Sequence, residues 1–121
     1  MKSARLAIFL QSGSPEKIRT AASLLASAAA LDWEVTAIFM GEALRKLVEA
    51  RLDEGLRSDD AGASGLIQSA RSFGRTSILA CTADAQSTGR SREEILKHVD
   101  DILAMPTILL RIEGAATKLF I

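Results

Sequence analysis

The chain has 121 residues, of which 48% are hydrophobic and 25% charged, and fifteen basic side chains balance fifteen acidic ones. This length predicts a single domain over residues 1–121, and the apolar fraction is that of a globular protein. Zero net charge and 4% aromatic residues argue against nucleic-acid binding. One Cys and one His exclude an internal disulfide framework and predict that no metal is bound.

The sequence shows neither a membrane span nor an export signal. Its longest uncharged stretch, residues 20–31, is shorter than the roughly 20 residues of a bilayer helix. An apolar run at 6–10 follows Lys2 and Arg5, but it is shorter than a secretory core and lacks a small-x-small cleavage site after it. We therefore expect a cytoplasmic protein that does not associate with membranes.

The first predicted elements are a buried strand and a long helix. Residues 5–10 (RLAIFL) form a nearly continuous apolar run, typical of a parallel strand buried on both faces. Ser14 is suited to cap a helix that has Pro15 in its first position. Apolar residues at helical spacing extend this helix to about residue 31, and Asp32 is predicted to take the left-handed conformation that ends it.

The middle of the chain continues the alternation of strands and helices. Residues 34–40 (EVTAIFM) predict a second strand, and Gly41 begins an amphipathic helix. The apolar face of that helix consists of Leu44, Leu47, Val48 and Leu52. A polar loop at 53–63, a short helix at 64–73 and a third buried strand at 76–81 (TSILAC) follow. This alternation predicts a parallel sheet covered on both faces.

The last third of the chain fits two interpretations. The first has one amphipathic helix over residues 92–104, then a strand at 107–112 and a hairpin that reaches Lys118. The spacing of apolar residues supports a helix over residues 92–104. Residue propensities alone do not exclude this interpretation.

The second interpretation ends a short helix near Lys97 and places a strand at 99–103. A helix at 106–113 and a final strand at 117–121 follow. Pro106 would stand at the first helical position and Gly114 just past the last one. Because this arrangement is typical of helix ends, we favour the second interpretation.

The candidate reactive group is Cys81, the only strong nucleophile in the chain. Ligands of open parallel sheets bind outside the carboxyl ends of the strands, and Cys81 ends the third predicted strand. The loops at these ends are 11–14, 40–42, 81–89 and 104–106. Nearby amides and Arg90 or Arg92 are candidates to stabilise its thiolate, the reactive form. The alternative is that Cys81 is a small hydrophobic residue closing a buried strand.

The other polar groups give weaker signals. His98 is a candidate base, because histidine is the residue type used most often for that role, but it follows a polar turn and better fits a solvated strand start. The carboxylate pairs Asp59–Asp60 and Asp100–Asp101 are better explained by solvation than by metal or acid–base chemistry. The turn at 11–14 is similar to an anion-binding turn, but it lacks the glycines of a dinucleotide fingerprint and the Lys of a P-loop.

Three blocks carry a family resemblance: RLAIFLQSGSPEKIRTAASLLASAAALDWEVTAIFMGEAL, TSILACTADAQSTGRSREEIL and MPTILLRIEGAATKLFI. Through them the chain resembles the DsrE/DsrF-like family of small sulfur-relay proteins over essentially its whole length. Asp32 and Trp33 replace the family's usual Gly-x turn, which does not affect the chemistry. Cys81 stands where members with sulfur-transfer activity carry their acceptor cysteine.

The resemblance implies a three-layer α/β/α sandwich with a largely parallel five-stranded sheet, assembled as a homo-oligomer such as a trimer or hexamer. It also implies sulfurtransferase-like chemistry without a cofactor. Cys81 would accept sulfane sulfur from a donor persulfide and pass it to an acceptor thiol, the partners being proteins or small thiols.

Four residues are candidates to bind the sulfur anion: the amides of Thr82 and Ala83, with Ser12 and Gly13 across the cleft. Two alternatives to a sulfur carrier remain open. One is a non-catalytic module that binds a small anion or nucleotide at residues 11–14. The other is a structural subunit of an oligomer, which the Ala-rich helix and low charge would suit.

Overall fold

The structure, a computed structural model, describes residues 5–55 and 62–121. Its strands are β1 (Arg5–Leu10), β2 (Glu34–Phe39), β3 (Thr76–Cys81), β4 (Asp101–Leu103) and β5 (Thr117–Phe120). Its helices are α1 (Pro15–Ala30), α2 (Gly41–Val48), α3 (Ala63–Ser72), α4 (Thr82–Ser87), α5 (Arg92–Ile95) and α6 (Met105–Arg111).

The five strands form one parallel sheet in the order β4-β3-β2-β1-β5. β1 pairs with β2 in a register that places Arg5 opposite Glu34 and Leu10 opposite Phe39. With helices on both faces, this arrangement confirms the predicted α/β/α fold with a five-stranded parallel sheet.

The two faces of the sheet are covered unequally. The chain steps in one direction from β1 to β4, so right-handed crossovers place α1 to α5 on one side, the first face. The connection from β4 to β5 runs back across the sheet and places α6 on the other side, the second face. α6 has seven residues and is therefore about 10 Å long. The five strands together are about 19 Å wide, so α6 covers only part of the second face.

The ends of α1 follow the sequence prediction. Ser14 caps its start by accepting a hydrogen bond from the amide of Lys17, and Pro15 is its first residue. At the other end Asp32 has φ 62°, and the amide of Trp33 donates to the carbonyl of Ala28. This is the Schellman pattern in which a left-handed residue satisfies the last carbonyls of a helix.

α2 ends earlier than its apolar face predicts. Ala50 has φ 56°, and the amide of Arg51 donates to the carbonyl of Lys46 over 2.7 Å. This second Schellman end turns the chain away from the helix axis. Leu52, predicted on the helix, therefore lies in the following turn, although it is buried as expected.

The second interpretation of the C-terminal third is confirmed, with shorter elements. β4 has three residues, and Asp100, directly before it, adds two hydrogen bonds to β3. Its amide donates to the carbonyl of Ile78, and its carboxylate accepts from the amide of Ile78, both over 2.7 Å. The same carboxylate pairs with Arg71 at 2.5 Å. Asp100 is exposed, as the solvated role expects, and both of its carboxylate oxygens also have partners in the protein.

One predicted loop contains a helix. Residues 81–89 are a loop in the sequence prediction, but α4 occupies most of this stretch and ends before Gly89, which has φ 72°. The carboxylate pair Asp59–Asp60 lies outside the described residues. Within the described ranges, none of the helices combines the length and apolar character that a membrane crossing requires.

Candidate functional site

Cys81 occupies the point where the chain connections diverge. It is the last residue of β3, and its register partner is Leu103, the last residue of β4. After β3 the chain enters α4 on the first face, whereas after β4 it enters α6 on the second face. Adjacent connections that leave in opposite directions open a crevice, and parallel sheets bind ligands at such switch points.

The side chain of Cys81 faces α6 and is 7% exposed. It belongs to the second-face core, which consists of Ala7, Phe9, Ile38, Leu79, Cys81, Ile108 and Ile112. Half-buried Met40, Leu103 and Met105 pack against this core. Cys81 also precedes α4, but its side chain makes no capping hydrogen bond. The thiol is therefore packed in apolar surroundings, as the alternative interpretation of the sequence expects.

The arginines predicted to stabilise the thiolate are not brought to it. Arg90 and Arg92 line a cavity of about 230 Å³ with Thr82, and its apolar wall belongs to the core of the first face. Arg90 pairs with Glu94 at 3.3 Å, and Arg92 lies 3.9 Å from Asp101. Both cations are thus engaged with carboxylates, and the cavity that they line lies on the side of the sheet opposite the thiol.

Of the four predicted binding residues, two adjoin Cys81. Thr82 and Ala83 follow it directly as the first residues of α4. The first amides of a helix have no acceptor within the helix, so these amides suit the predicted role. Whether they bind a sulfur anion stays a prediction.

Ser12 and Gly13 lie at the end of β1, and β2 separates them from β3. The amide of Ser12 donates to the carbonyl of Ile121, and Lys46 donates to the carbonyl of Gly13 over 2.7 Å. A Cβ at Gly13 would lie 2.9 Å from that of Glu42. The amide of Ser12 thus already has an acceptor, and β2 lies between this turn and β3. Anion binding by Ser12 and Gly13 stays a prediction.

His98 lies at the opposite end of the sheet from the thiol. It precedes the start of β4, whereas Cys81 pairs with the last residue of that strand. With Arg71 and Lys97 it lines a cavity of about 430 Å³, and its carbonyl accepts from Arg71. The structure therefore gives His98 no contact through which it would act as a base for Cys81.

The sequence did not predict an apolar cavity at the carboxyl ends of the strands. This carboxyl-end cavity has a volume of about 420 Å³ and is lined by Phe9, Gln11, Met40, Met105, Leu109, Phe120 and Ile121. Gln11 supplies its only polar side chain among the described residues, and the rings of Phe9 and Phe120 stack 4.7 Å apart. Met40 and Met105 also pack against the core that contains Cys81. The cavity and the core that contains Cys81 thus share these two methionines, and Cys81 itself is not among the residues that line the cavity.

The second face also exposes large apolar side chains. Leu109 is 53% exposed, Leu110 71% and Phe120 75%. They surround the short α6 and the edge strand β5, where the sheet has its least helical cover. Because parallel sheets are ordinarily buried on both faces, this patch is typical of an interaction surface.

No protein-family model and no curated protein match the chain. Among solved structures it is similar to MTH1491, a protein of unknown function from Methanobacterium thermoautotrophicum. The two share 17% sequence identity and a TM-score of 0.61, covering 97% of this chain and 99% of that one. It is also similar to YchN from E. coli, with 13% identity, a TM-score of 0.62 and coverage of 99% and 100%. At these identities the similarity shows the fold alone.

Proposed function

We propose that the protein is a single-cysteine carrier of sulfane sulfur, of the DsrE/DsrF-like kind that the sequence resembles. The observation that carries this proposal is the position of Cys81 at the divergence of β3 and β4. A rigid strand end at a switch point is where a parallel sheet presents a functional group to a visiting molecule. Thiolate exchange with sulfane sulfur needs no cofactor, so one cysteine is sufficient.

The transfer consists of two thiolate displacements. The Cys81 thiolate attacks the outer sulfur of a donor persulfide, a new S–S bond forms at Sγ, and the donor leaves as a thiolate. An acceptor thiolate then attacks the outer sulfur on Cys81 and regenerates its thiolate. No net oxidant is consumed. Since the chain has a single Cys, it has no resolving thiol, and release requires a second molecule.

Access to the thiol sets the class of donor. At 7% exposure, Sγ meets another molecule only when its neighbours move aside. Met40 and Met105 stand between the carboxyl-end cavity and the core that contains Cys81, and unbranched thioether side chains change rotamer readily. We therefore expect small donors, such as inorganic polysulfide or a low-molecular-weight persulfide, to load Cys81 faster than a folded donor protein does.

Intact-mass measurement tests the carrier role. The reduced native protein is incubated with inorganic polysulfide, desalted and weighed, and then treated with a reducing thiol and weighed again. We expect one added sulfur atom that the thiol removes, and no addition to Cys81→Ser. This variant is the matched control, because it replaces only the sulfur atom.

Protein unfolded in urea provides the decisive comparison. Unfolded wild type exposes the same thiol without its surroundings, so it must take up sulfur if the reagent is competent. If the unfolded protein is loaded and the native protein is not, the fold seals Cys81 and the carrier proposal is wrong.

We also propose that the protein assembles with copies of itself through the second face. Leu109, Leu110 and Phe120 are more than half exposed there, and the sheet beneath them has one short helix as cover. A second copy would bury this apolar patch against an equivalent one, as two-fold interfaces do. The homo-oligomer implied by the family resemblance fits the same surface.

The carboxyl-end cavity favours a second candidate function, the binding of a small molecule without catalysis. Its lining is apolar apart from Gln11, so it suits an uncharged aromatic or aliphatic ligand better than the anion or nucleotide considered from the sequence. Native mass spectrometry of freshly purified protein distinguishes the two functions. A retained apolar ligand, together with a native thiol that polysulfide does not modify, would favour the binding module.

A further inference from the structure

Three sulfur-bearing side chains belong to the second-face core or pack against it near the carboxyl edge of the sheet: Met40, Cys81 and Met105, here called the sulfur triad. Phe39 stands opposite Ala80 in the β2–β3 register, so the next residues, Met40 and Cys81, lie side by side. Successive side chains alternate between faces, and both belong to the second face with Ile38 and Leu79.

Met105 joins them from the other direction. It is the first residue of α6 and follows Leu103, the register partner of Cys81, by two positions. It lines the carboxyl-end cavity together with Met40, and both methionines pack against the core that contains Cys81. The cavity therefore gives a small solute a route from solvent to the two thioethers.

This donor set has a specific chemical preference. A thiolate and thioethers are soft ligands, and soft ligands select Cu(I) over ions that prefer oxygen or imidazole. In the described part of the chain no group of three or more His, Cys, Asp or Glu side chains could hold a metal ion. A harder metal would therefore lack its usual ligands at this place.

Charge points to the same ion. Cu⁺ bound to one thiolate forms a neutral unit, which an apolar site accommodates, whereas a divalent ion would leave a positive charge buried without a counter-ion. The apolar neighbours of the triad, among them Phe9 and Leu103, do not supply that counter-ion.

We propose that Met40, Cys81 and Met105 form a trigonal Cu(I) site. Binding forms three Cu–S bonds and releases the thiol proton of Cys81 to solvent, with no change in oxidation state. The sequence prediction of no metal counted Cys and His, and it did not consider thioethers. The site shares Cys81 with the proposed sulfur carrier but does not depend on that function.

The test is an anaerobic titration of the reduced full chain with Cu(I) in competition with a chromogenic Cu(I) chelator. We expect one Cu(I) per chain, and none in Cys81→Ser. Met40→Leu and Met105→Leu keep the side-chain volume and should each weaken the affinity by about tenfold or more. Leu103→Ile, a change in the same core that removes no sulfur, is the matched control and should bind as wild type does.

X-ray absorption of the loaded wild type provides a readout that does not depend on any variant folding. Three sulfur neighbours and no nitrogen neighbour support the site. The proposal is overturned if wild type binds no Cu(I), if both Met variants bind as tightly as wild type, or if Zn²⁺ displaces Cu(I) at equal concentration.

Two readouts on wild-type protein separate this site from the sulfur carrier. Sulfur loading of copper-free protein without any Cu(I) binding would overturn the metal site alone. Cu(I) binding without sulfur loading would overturn the carrier alone.

Discussion

Asp100 shows how much a single side chain contributes to the sheet near the candidate site. Its carboxylate accepts the amide of Ile78 and pairs with Arg71, and its own amide donates back to the carbonyl of Ile78. These bonds extend the pairing of β3 with the three-residue β4. The position of Cys81 opposite Leu103 therefore depends on an aspartate at the other end of the same strand pair.

Replacement of Asp100 by Ala should lower the free energy of unfolding by about 1–3 kcal/mol, because the part-buried amide of Ile78 loses its acceptor. Urea unfolding followed by circular dichroism measures the change. Asp100→Asn keeps one carbonyl oxygen as acceptor for that amide, so its free energy of unfolding should fall by clearly less than that of Asp100→Ala. Equal losses in the two variants would show that the ion pair with Arg71, rather than the hydrogen bond to Ile78, is the stabilising contact.

Two helices end on residues in the left-handed conformation that are not glycine. Asp32 ends α1 with φ 62°, and Ala50 ends α2 with φ 56°. Asp tolerates this conformation better than Ala does, and Arg75 lies 3.5 Å from the carboxylate of Asp32. Ala50 has no side-chain group that could offset the strain. The backbone conformation at the end of α2 is therefore less favourable than the one at the end of α1.

Ala50→Gly should raise the free energy of unfolding by about 0.5–1 kcal/mol, because removal of Cβ relieves the strain of positive φ at a modest entropic cost. Thermal unfolding of the full chain measures the change. The same substitution at Ala26, inside α1, should lower stability by about 1 kcal/mol. If both variants are destabilised, the end of α2 is not strained in the way its dihedral angle indicates.

The direction of the crossovers determines which surface of the whole molecule needs a partner. Because β1 to β4 are added in one direction, five of the helices in residues 5–55 and 62–121 lie on the first face and the sixth, α6, lies over the second. The apolar patch around Leu109, Leu110 and Phe120 is the consequence. The same asymmetry places the thiol of Cys81 beneath the thinner layer.

The double variant Leu110→Lys, Phe120→Lys should dissociate the proposed assembly, because charges placed on both patches repel one another and resist burial. Sedimentation velocity measures the change as a shift from oligomer to monomer, with circular dichroism unchanged. Leu31→Lys alters an exposed Leu at the end of α1 and should leave the assembly intact. A wild type that sediments as a monomer at all concentrations would contradict the proposed interface.

Local sequence patterns were sufficient for most of the elements. The bounds of β1 and β3 agree with their apolar runs residue for residue, because a strand buried on both faces requires continuous apolar character. Ser14, Pro15 and Asp32 predicted the ends of α1 correctly, since capping depends on a few adjacent residues. The position of Cys81 at a strand end follows from the same local pattern.

The surroundings of Cys81 were decided by the tertiary structure. Arg90 is close to Cys81 in sequence but lies on the opposite face, whereas Met40 and Met105 are distant in sequence and meet at the same edge. Periodicity shows which residues share a face of one element, but strand order and crossover direction depend on pairings between distant segments. The sequence alone therefore determined the strands and the place of the one thiol at a strand end, and only long-range pairing determined what surrounds that thiol.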